Sequence, residues 1–299
     1  MRIGIDLGGT KTEILCLSPS GQELLRKRIP TKQGNYQGTI QSIRDLVWCA
    51  EQEIGQTGSV GIGIPGSISK KTGLVKNANS VWLIGQSFQK DLSDALERDV
   101  RVSNDANCFA LSEAVDGAGK DAQTVFGVIL GTGAGGGLVI DKQVVAGVNG
   151  VAGEWGHNPM PWARGDEQPG PLCYCGLRGC IETFLCGPAL AQMFETATRA
   201  QMSAKEIAGL PSDITDPFFT VYEDRLARAL ASVINIFDPD VIVLGGGLSN
   251  MDRWYQTVPE LWSKWVFGNE CDTELRKAVH GDSSGVRGAA WLWPLKSKL

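Results

Sequence analysis

Four glycine clusters, each set directly behind a short apolar run rich in β-branched residues, constrain this chain most. They are Asp6-Leu7-Gly8-Gly9-Thr10, Gly61-Ile62-Gly63-Ile64-Pro65-Gly66, Gly131-Thr132-Gly133-Ala134-Gly135-Gly136-Gly137 and Gly245-Gly246-Gly247. A strand that runs into glycine lets bare backbone approach a ligand, because no side chain stands in the way. The pattern predicts an α/β chain whose strand ends are its working surfaces.

Around the clusters, the sequence predicts strands over 2–7, 12–18, 23–29, 59–64, 100–103, 124–130, 136–140 and 240–244. Helices are predicted over 36–54, 87–97, 105–115, 188–199, 218–237 and 285–296. The first three strands are joined by short turns and so pair antiparallel, while the later strand-helix alternation adds parallel strands. The sheets are therefore mixed. From strand 124–130 a similar order restarts, which implies a duplicated two-domain architecture with a cleft between the halves. The expected domains are 1–116, completed by the C-terminal helix 284–299, and 117–283. No low-complexity linker separates them, which favours a hinge.

Composition narrows the partners. A formal net charge of -5 leaves no basic footprint for nucleic acid. No apolar run approaches the ~20 residues that span a bilayer. The segment Met1-Arg2-Ile3-Gly4-Ile5-Asp6 leads straight into a strand and lacks the apolar stretch of a signal peptide. A cytoplasmic chain is expected. The eight cysteines fit that compartment as buried thiols (Cys16, Cys49, Cys108) and inert ones (Cys186, Cys271) beside one metal cluster. Cys186 lies close enough in sequence to be a spare ligand.

That cluster is Gly153-Glu154-Trp155-Gly156-His157 followed by Cys173-x-Cys175-x4-Cys180-x-Glu182. His157, Cys173, Cys175 and Cys180 make a complete tetrahedral zinc shell with no position open for a catalytic water. Zinc there stiffens a loop, and the loop carries Glu154 and Glu182 towards something else. The alternative is a zinc knuckle with no bearing on catalysis.

Two glycine clusters, Gly131-x-Gly133-x-x-Gly136 and Gly61-x-Gly63-x-x-Gly66, fit the dinucleotide pattern, which requires a helix next. A hairpin follows the first and a turn-rich loop the second, so a dinucleotide site is not expected. Gly8-Gly9-Thr10-Lys11-Thr12 lacks the Gly-Lys-[Ser/Thr] order of a Walker loop. What remains is a pair of hairpin turns, Gly8-Gly9-Thr10 and Gly131-Thr132-Gly133, rich in unobstructed N–H groups. They could pinch a polyphosphate as an anion nest, or be tight turns without a ligand. Asp6, at the end of its strand, is placed to hold Mg2+ through water.

Asn104-Asp105-Ala106-Asn107 follows a short strand and opens a helix. Asn104 or Asp105 suits an N-cap. As a functional group, Asp105 is expected to be held ionised, with a low pKa, by the helix N-terminus. Such a carboxylate makes an orienting base, which is all that phosphoryl transfer through a loose transition state asks for.

Together these motifs resemble the ROK family of bacterial sugar kinases, within the actin-like ATPase (ribonuclease H-like) superfamily. The match runs from Asp6-x-Gly8-Gly9-Thr10 through Gly63-x-Pro65-Gly66, Asn104-Asp105-Ala106-Asn107 and Gly131-Thr132-Gly133 to the Glu/His and Cys motifs and Gly245-Gly246-Gly247. The glycine pairs alone are weak signals; the Glu/His motif coupled to Cys-x-Cys-Gly-x2-Gly-Cys-x-Glu is a strong one. The resemblance implies an ATP:hexose phosphotransferase, with Asp105 as general base on the attacking sugar hydroxyl. It implies that Asn104, Glu154, His157 and Glu182 bind sugar hydroxyls, with Gly66 and Asn79 closing the far side. Asp6, Gly8, Gly9, Thr10, Lys11, Gly131, Thr132 and Gly133 would meet the phosphates and Mg2+, and Gly246 and Gly247 the adenosine. His157 would serve twice, one ring nitrogen on zinc and the other donating to the sugar.

The segment 159–171, proline-containing and inserted between His157 and Cys173, resembles that of bacterial fructokinases, so D-fructose is the expected substrate. Glucose, mannose and N-acetylhexosamines are the alternatives. A sugar-responsive repressor of the same family would carry roughly 60 further N-terminal residues with a recognition helix, and a basic surface, so a kinase is expected instead. The resemblance leaves a homodimer open, with no sequence feature marking an interface.

Overall fold

The computed structural model describes residues 1–268, 270–281 and 284–294. Its first half holds β1 (Arg2–Leu7), β2 (Lys11–Leu17), β3 (Glu23–Pro30), α1 (Tyr36–Ile54), β4 (Ser59–Ile64), the short pair β5 (Ser67–Ile68) and β6 (Val75–Lys76), α2 (Phe88–Leu96), β7 (Val100–Asn104) and α3 (Asp105–Val115). The second half holds β8 (Thr124–Leu130), β9 (Ala134–Ile140), β10 (Gln143–Val144), α4 (Glu182–Leu185), α5 (Gly187–Thr198), α6 (Ala204–Ala208), α7 (Ser212–Phe237), β11 (Val241–Gly245), α8 (Trp254–Trp262) and β12 (Glu274–Lys277). The helix α9 (Ser284–Trp291) follows.

The two halves have one topology. The first sheet runs β3-β2-β1-β4-β7 and the second β10-β9-β8-β11-β12. In each, an antiparallel three-strand meander is extended by two parallel strands. This is the mixed-sheet α/β architecture of the actin-like ATPase fold. The hairpin expected after Gly136 is β9–β10, and the loop expected after Gly66 is the short β5–β6 pair.

Between the sheets lie α9 and α3, and glycine decides how closely they pack. A Cβ on Gly4 of β1 would sit 2.0 Å from the Val286 carbonyl oxygen, and one on Gly61 of β4 2.0 Å from that of Ala289. Only glycine therefore lets α9 lie flat on the first sheet. On the second, Gly127, Gly137 and Gly245 admit Ala110, Ala106 and Phe109 of α3 in the same way. Where the two helices touch, a Cβ on Gly288 would come 1.6 Å from the Cys108 carbonyl oxygen. The abundance of glycine thus has a second cause beside ligand approach, the tight stacking of sheet, helix, helix and sheet.

The sequence reading missed the short helices α4 and α6, the β5–β6 pair, α8 and β12, and started α7 late. The helix α7 starts at Ser212, well before 218, with Pro217 inside it; α8 contains Pro259; β12 is a four-residue edge strand of sequence Glu-Leu-Arg-Lys. The final helix ends at Trp291, and positions 295–299 of the expected segment lie outside the described residues. Among the described residues no helix is long and apolar enough to cross a membrane.

Candidate active site

The two glycine turns occupy equivalent corners of the two sheets. In the first, Gly8 N–H donates to the Lys11 carbonyl at 3.0 Å; in the second, Gly131 N–H donates to the Gly133 carbonyl at 3.0 Å. Carbonyl groups of the first turn are held back by residues the sequence reading passed over. Thr31 Oγ1 donates to Gly8 O at 2.8 Å and Gln33 Nε2 to Gly9 O at 2.7 Å. Gly9, Thr10, Lys11 and Thr132 are left exposed at the rim.

Behind the second turn opens a cavity of about 960 Å³, lined by Gly131, Thr132, Pro188, Lys205, Gly247 and Arg253 among others. Gly246, next to the lining residue Gly247, has φ +82°, and a Cβ there would lie 2.4 Å from the Leu130 carbonyl. The cavity is large enough for a nucleoside. Lys205 supplies a cation that sequence spacing gave no reason to place there, while the guanidinium of Arg253 is paired with Glu223 and Asp216.

Asn104 caps α3, its side chain accepting from Ala106 N–H at 2.9 Å; Asp105 Oδ1 accepts from the same N–H at 2.8 Å. One correction concerns Asp105. The helix N-terminus was expected to hold its pKa low, but burial raises it, joined by the charge of Glu154, and the hydrogen bonds from Ala106 and Asn104 offset this only in part. Desolvation of a charged carboxylate outweighs one shared N–H. Asp6 is likewise pushed up to about 6, first by burial, then by Asp105 and Glu13. A pocket in which carboxylates repel one another suits a divalent cation, so the oxygen donors fit the expected Mg2+.

Local packing explains the Gly-Glu-Trp-Gly-His motif. Gly153 has φ +90° and would place a Cβ 2.5 Å from the Gly136 carbonyl, and Gly156 one 2.1 Å from the Ala134 carbonyl. Both glycines press the segment onto β9. Buried Trp155 locks it there, donating from Nε1 to Gly135 O at 2.9 Å and meeting Phe126 edge-on. Glu154, flanking these anchors, is left exposed, and His157 half-buried.

The ligand atoms of His157, Cys173, Cys175 and Cys180 all lie within 4.8 Å of one another. Cys175 and Cys180 sulfurs are 3.7 Å apart, and Cys173 Sγ is 3.5 Å from His157 Nδ1. A tetrahedron with Zn–S bonds of about 2.3 Å has sulfur–sulfur edges of about 3.8 Å. The donor set and its spacing fit zinc. Cys186, the spare candidate, is buried between α4 and α5 and is not part of the group.

His157 Nε2, the nitrogen left over, meets the hydroxyl of Tyr174 at 2.9 Å. Tyr174 was not foreseen. Glu182 also does more than was expected: its Oε2 accepts from Ala134 N–H at 2.9 Å, tying the cysteine loop to the Gly131-Thr132-Gly133 turn. Gly66 is buried under Ala78, and Asn79 N–H returns to the Pro65 carbonyl at 3.0 Å, so these two are brought together by one turn.

The segment 159–171, basis of the fructose expectation, turns its buried carboxylate, Glu167, to α7. Glu167 Oε1 accepts from Arg225 Nε at 2.9 Å and Arg228 Nη2 at 2.7 Å, and Oε2 from Arg228 Nη1 at 3.0 Å. These donors hold its pKa at about 2 despite the burial that opposes them. Because that pKa is depressed, the ion pair's stabilisation is present above the ordinary carboxylate range and lost as pH falls towards 2. Glu167→Gln would remove the charged partner shared by Arg225 and the fully buried Arg228, leaving Arg228 its Nε contact with Asp224 at 3.0 Å, with an expected loss of about 1.5–3 kcal/mol by urea unfolding. A loss under 1 kcal/mol would contradict this reading.

Comparison with known proteins agrees with this assembly of parts. Residues 2–296 match the model of the ROK family. The chain is 40% identical over 301 residues to an N-acetyl-D-glucosamine kinase of Yersinia pseudotuberculosis, covering 98% of each. Its fold superimposes on a ROK hexokinase from Thermus thermophilus with a TM-score of 0.85 at 29% identity, covering 97% of both chains. A ROK glucokinase from Streptomyces griseus, solved with glucose and AMPPNP, gives a TM-score of 0.76 at 26% identity, again over 97% of both. No relative among these is named for fructose. Over nearly its whole length, this chain belongs to the ROK family of sugar kinases.

Proposed function

We propose that this protein is an ATP-dependent N-acetyl-D-glucosamine kinase that phosphorylates the 6-hydroxyl of the free sugar. The observation that carries it is the end-to-end similarity to an N-acetyl-D-glucosamine kinase. The arrangement of Asp105, Glu154, His157 and Glu182 supports a sugar site next to the two glycine turns. Fructose, expected from the 159–171 insert together with the stretch Asn77–Leu83, has less support than N-acetyl-D-glucosamine from these relatives.

In this reading the lobes 1–116 with 284–299 and 117–283 close on the substrates and exclude water, which suppresses ATP hydrolysis. Glu154, Glu182 and Asn104 hold the sugar hydroxyls; His157 Nε2, engaged by the Tyr174 hydroxyl, stands beside them, and Gly66 and Asn79 bound the far side. Asp105 orients the attacking hydroxyl and takes its proton as the bond to phosphorus forms. The N–H groups of Gly9, Thr10, Thr132 and Gly133, with Lys11, cradle the phosphates, in turns that the N–H groups of Gly8 and Gly131 close; Gly246 and Gly247 leave room for adenosine. Asp6 would hold Mg2+, which when bound neutralises phosphate charge. His157, Cys173, Cys175 and Cys180 would hold zinc as a brace for the sugar-binding loop.

An ATP-coupled assay over N-acetylglucosamine, N-acetylmannosamine, glucose, mannose and fructose tests the substrate. N-acetylglucosamine should give the highest kcat/KM, and a higher value for fructose would sink the reading.

The carboxylates also predict a pH profile. Raised pKa values mean that Asp105 and Asp6 take up protons at higher pH than ordinary carboxylates, so the acidic limb of kcat/KM should lie above the ordinary carboxylate range. Glu154→Gln removes a negative charge that raises Asp105, so the acidic limb should move to lower pH. A limb that stays put or moves upward would separate Glu154 from Asp105.

A further inference from the structure

We infer that Tyr174 is a specificity-determining residue, whose hydroxyl donates to the carbonyl oxygen of the sugar's acetamido group. The inference rests on the N-acetylhexosamine reading above and adds a contact to it.

The argument is an inventory of donors. Asp105, Glu154 and Glu182 are acceptors only when ionised. Sugar hydroxyls can donate to them, but an amide carbonyl cannot and is repelled. A site that prefers an acetamido sugar therefore needs a neutral donor among its carboxylates. Tyr174 supplies one. Its hydroxyl meets His157 Nε2 at 2.9 Å, on the loop that Glu154 and Glu182 flank in sequence.

The direction of that hydrogen bond follows from the cysteine cluster. His157 Nδ1 faces Cys173 Sγ at 3.5 Å; with zinc on Nδ1, the ring would carry its proton on Nε2. Nε2–H then donates to the phenol oxygen, and the phenol's own proton has no acceptor among the described residues. The side chain is also not needed for packing. It is 77% exposed, and its one ring contact is an edge-on approach to His157 at 5.0 Å. A tyrosine held by one histidine, open to solvent, with its proton unspent, is placed for a ligand.

Tyr174→Phe tests this, since it keeps the ring against His157 and removes only the hydroxyl. The kcat/KM for N-acetylglucosamine should fall about tenfold or more, equivalent to about 1.4 kcal/mol. The value for glucose, which lacks the acetamide, should change by less than about threefold. Zinc content should stay at that of the parent protein. Equal losses on both sugars would mean that the hydroxyl only steadies His157, and unchanged values that it faces no substrate; either overturns the inference. Failure of the parent protein to phosphorylate N-acetylglucosamine would overturn the substrate reading itself, before any variant is made.

Discussion

Asp105→Asn should lower kcat by roughly 10²–10⁴-fold, the usual contribution of a positioned general base. Binding of N-acetylglucosamine, measured by calorimetry, should stay within a few-fold. The asymmetry follows from geometry. Asn is isosteric and still accepts from Ala106 N–H, so the start of α3 is kept. It also removes a buried charge whose pKa is raised, so the fold should be no less stable. What it cannot do is take a proton. A variant retaining more than a tenth of the parent kcat would remove Asp105 from the base role. One that loses sugar binding in proportion would make it a ligand rather than a base.

Cys175→Ala has the second large effect. Structural zinc in small domains contributes on the order of 10–16 kcal/mol of apparent binding free energy at neutral pH. Losing one of four ligands forfeits much of that. Cys175 is the informative choice because it is exposed whereas Cys173 and Cys180 are buried. Truncating it opens no cavity, so the consequence reports the metal and not the packing. We expect about one zinc per parent chain, lost from the variant on dialysis against chelator, together with a lower Tm and loss of activity. Cys186→Ala, outside the cluster, should keep the metal. Full activity in a zinc-free preparation would reduce the cluster to a bystander.

The parts of this fold legible in the sequence are those set by local chemistry. Strand periodicity and turn glycines placed β1 to β4 and β8 to β11, and the spacing of His157, Cys173, Cys175 and Cys180 named the cluster before any coordinates. The losses have physical causes. A proline reads as a helix end, yet Pro217 and Pro259 each sit inside a helix that tertiary packing sustains. The edge strand Glu274–Lys277 shows no apolar alternation because one neighbour, β11, suffices to define it. Tyr174 looked like the variable residue between two ligands, and only the folded loop brings it to His157. The direction of the Asp105 shift depends on burial, which no local pattern encodes.

The glycines under α9 carry a consequence for how the chain is made. The grooves at Gly4 and Gly61 belong to strands synthesised early, yet the helix that fills them spans residues 284–291. At 5–20 residues per second, roughly 10–45 seconds separate translation of β4 from that of Trp291. For that interval the first sheet stands on the ribosome with one apolar face uncovered. The amino-terminal lobe is therefore the last part of the molecule able to finish folding, and a growing chain is most in need of chaperone shelter just when the second lobe is emerging.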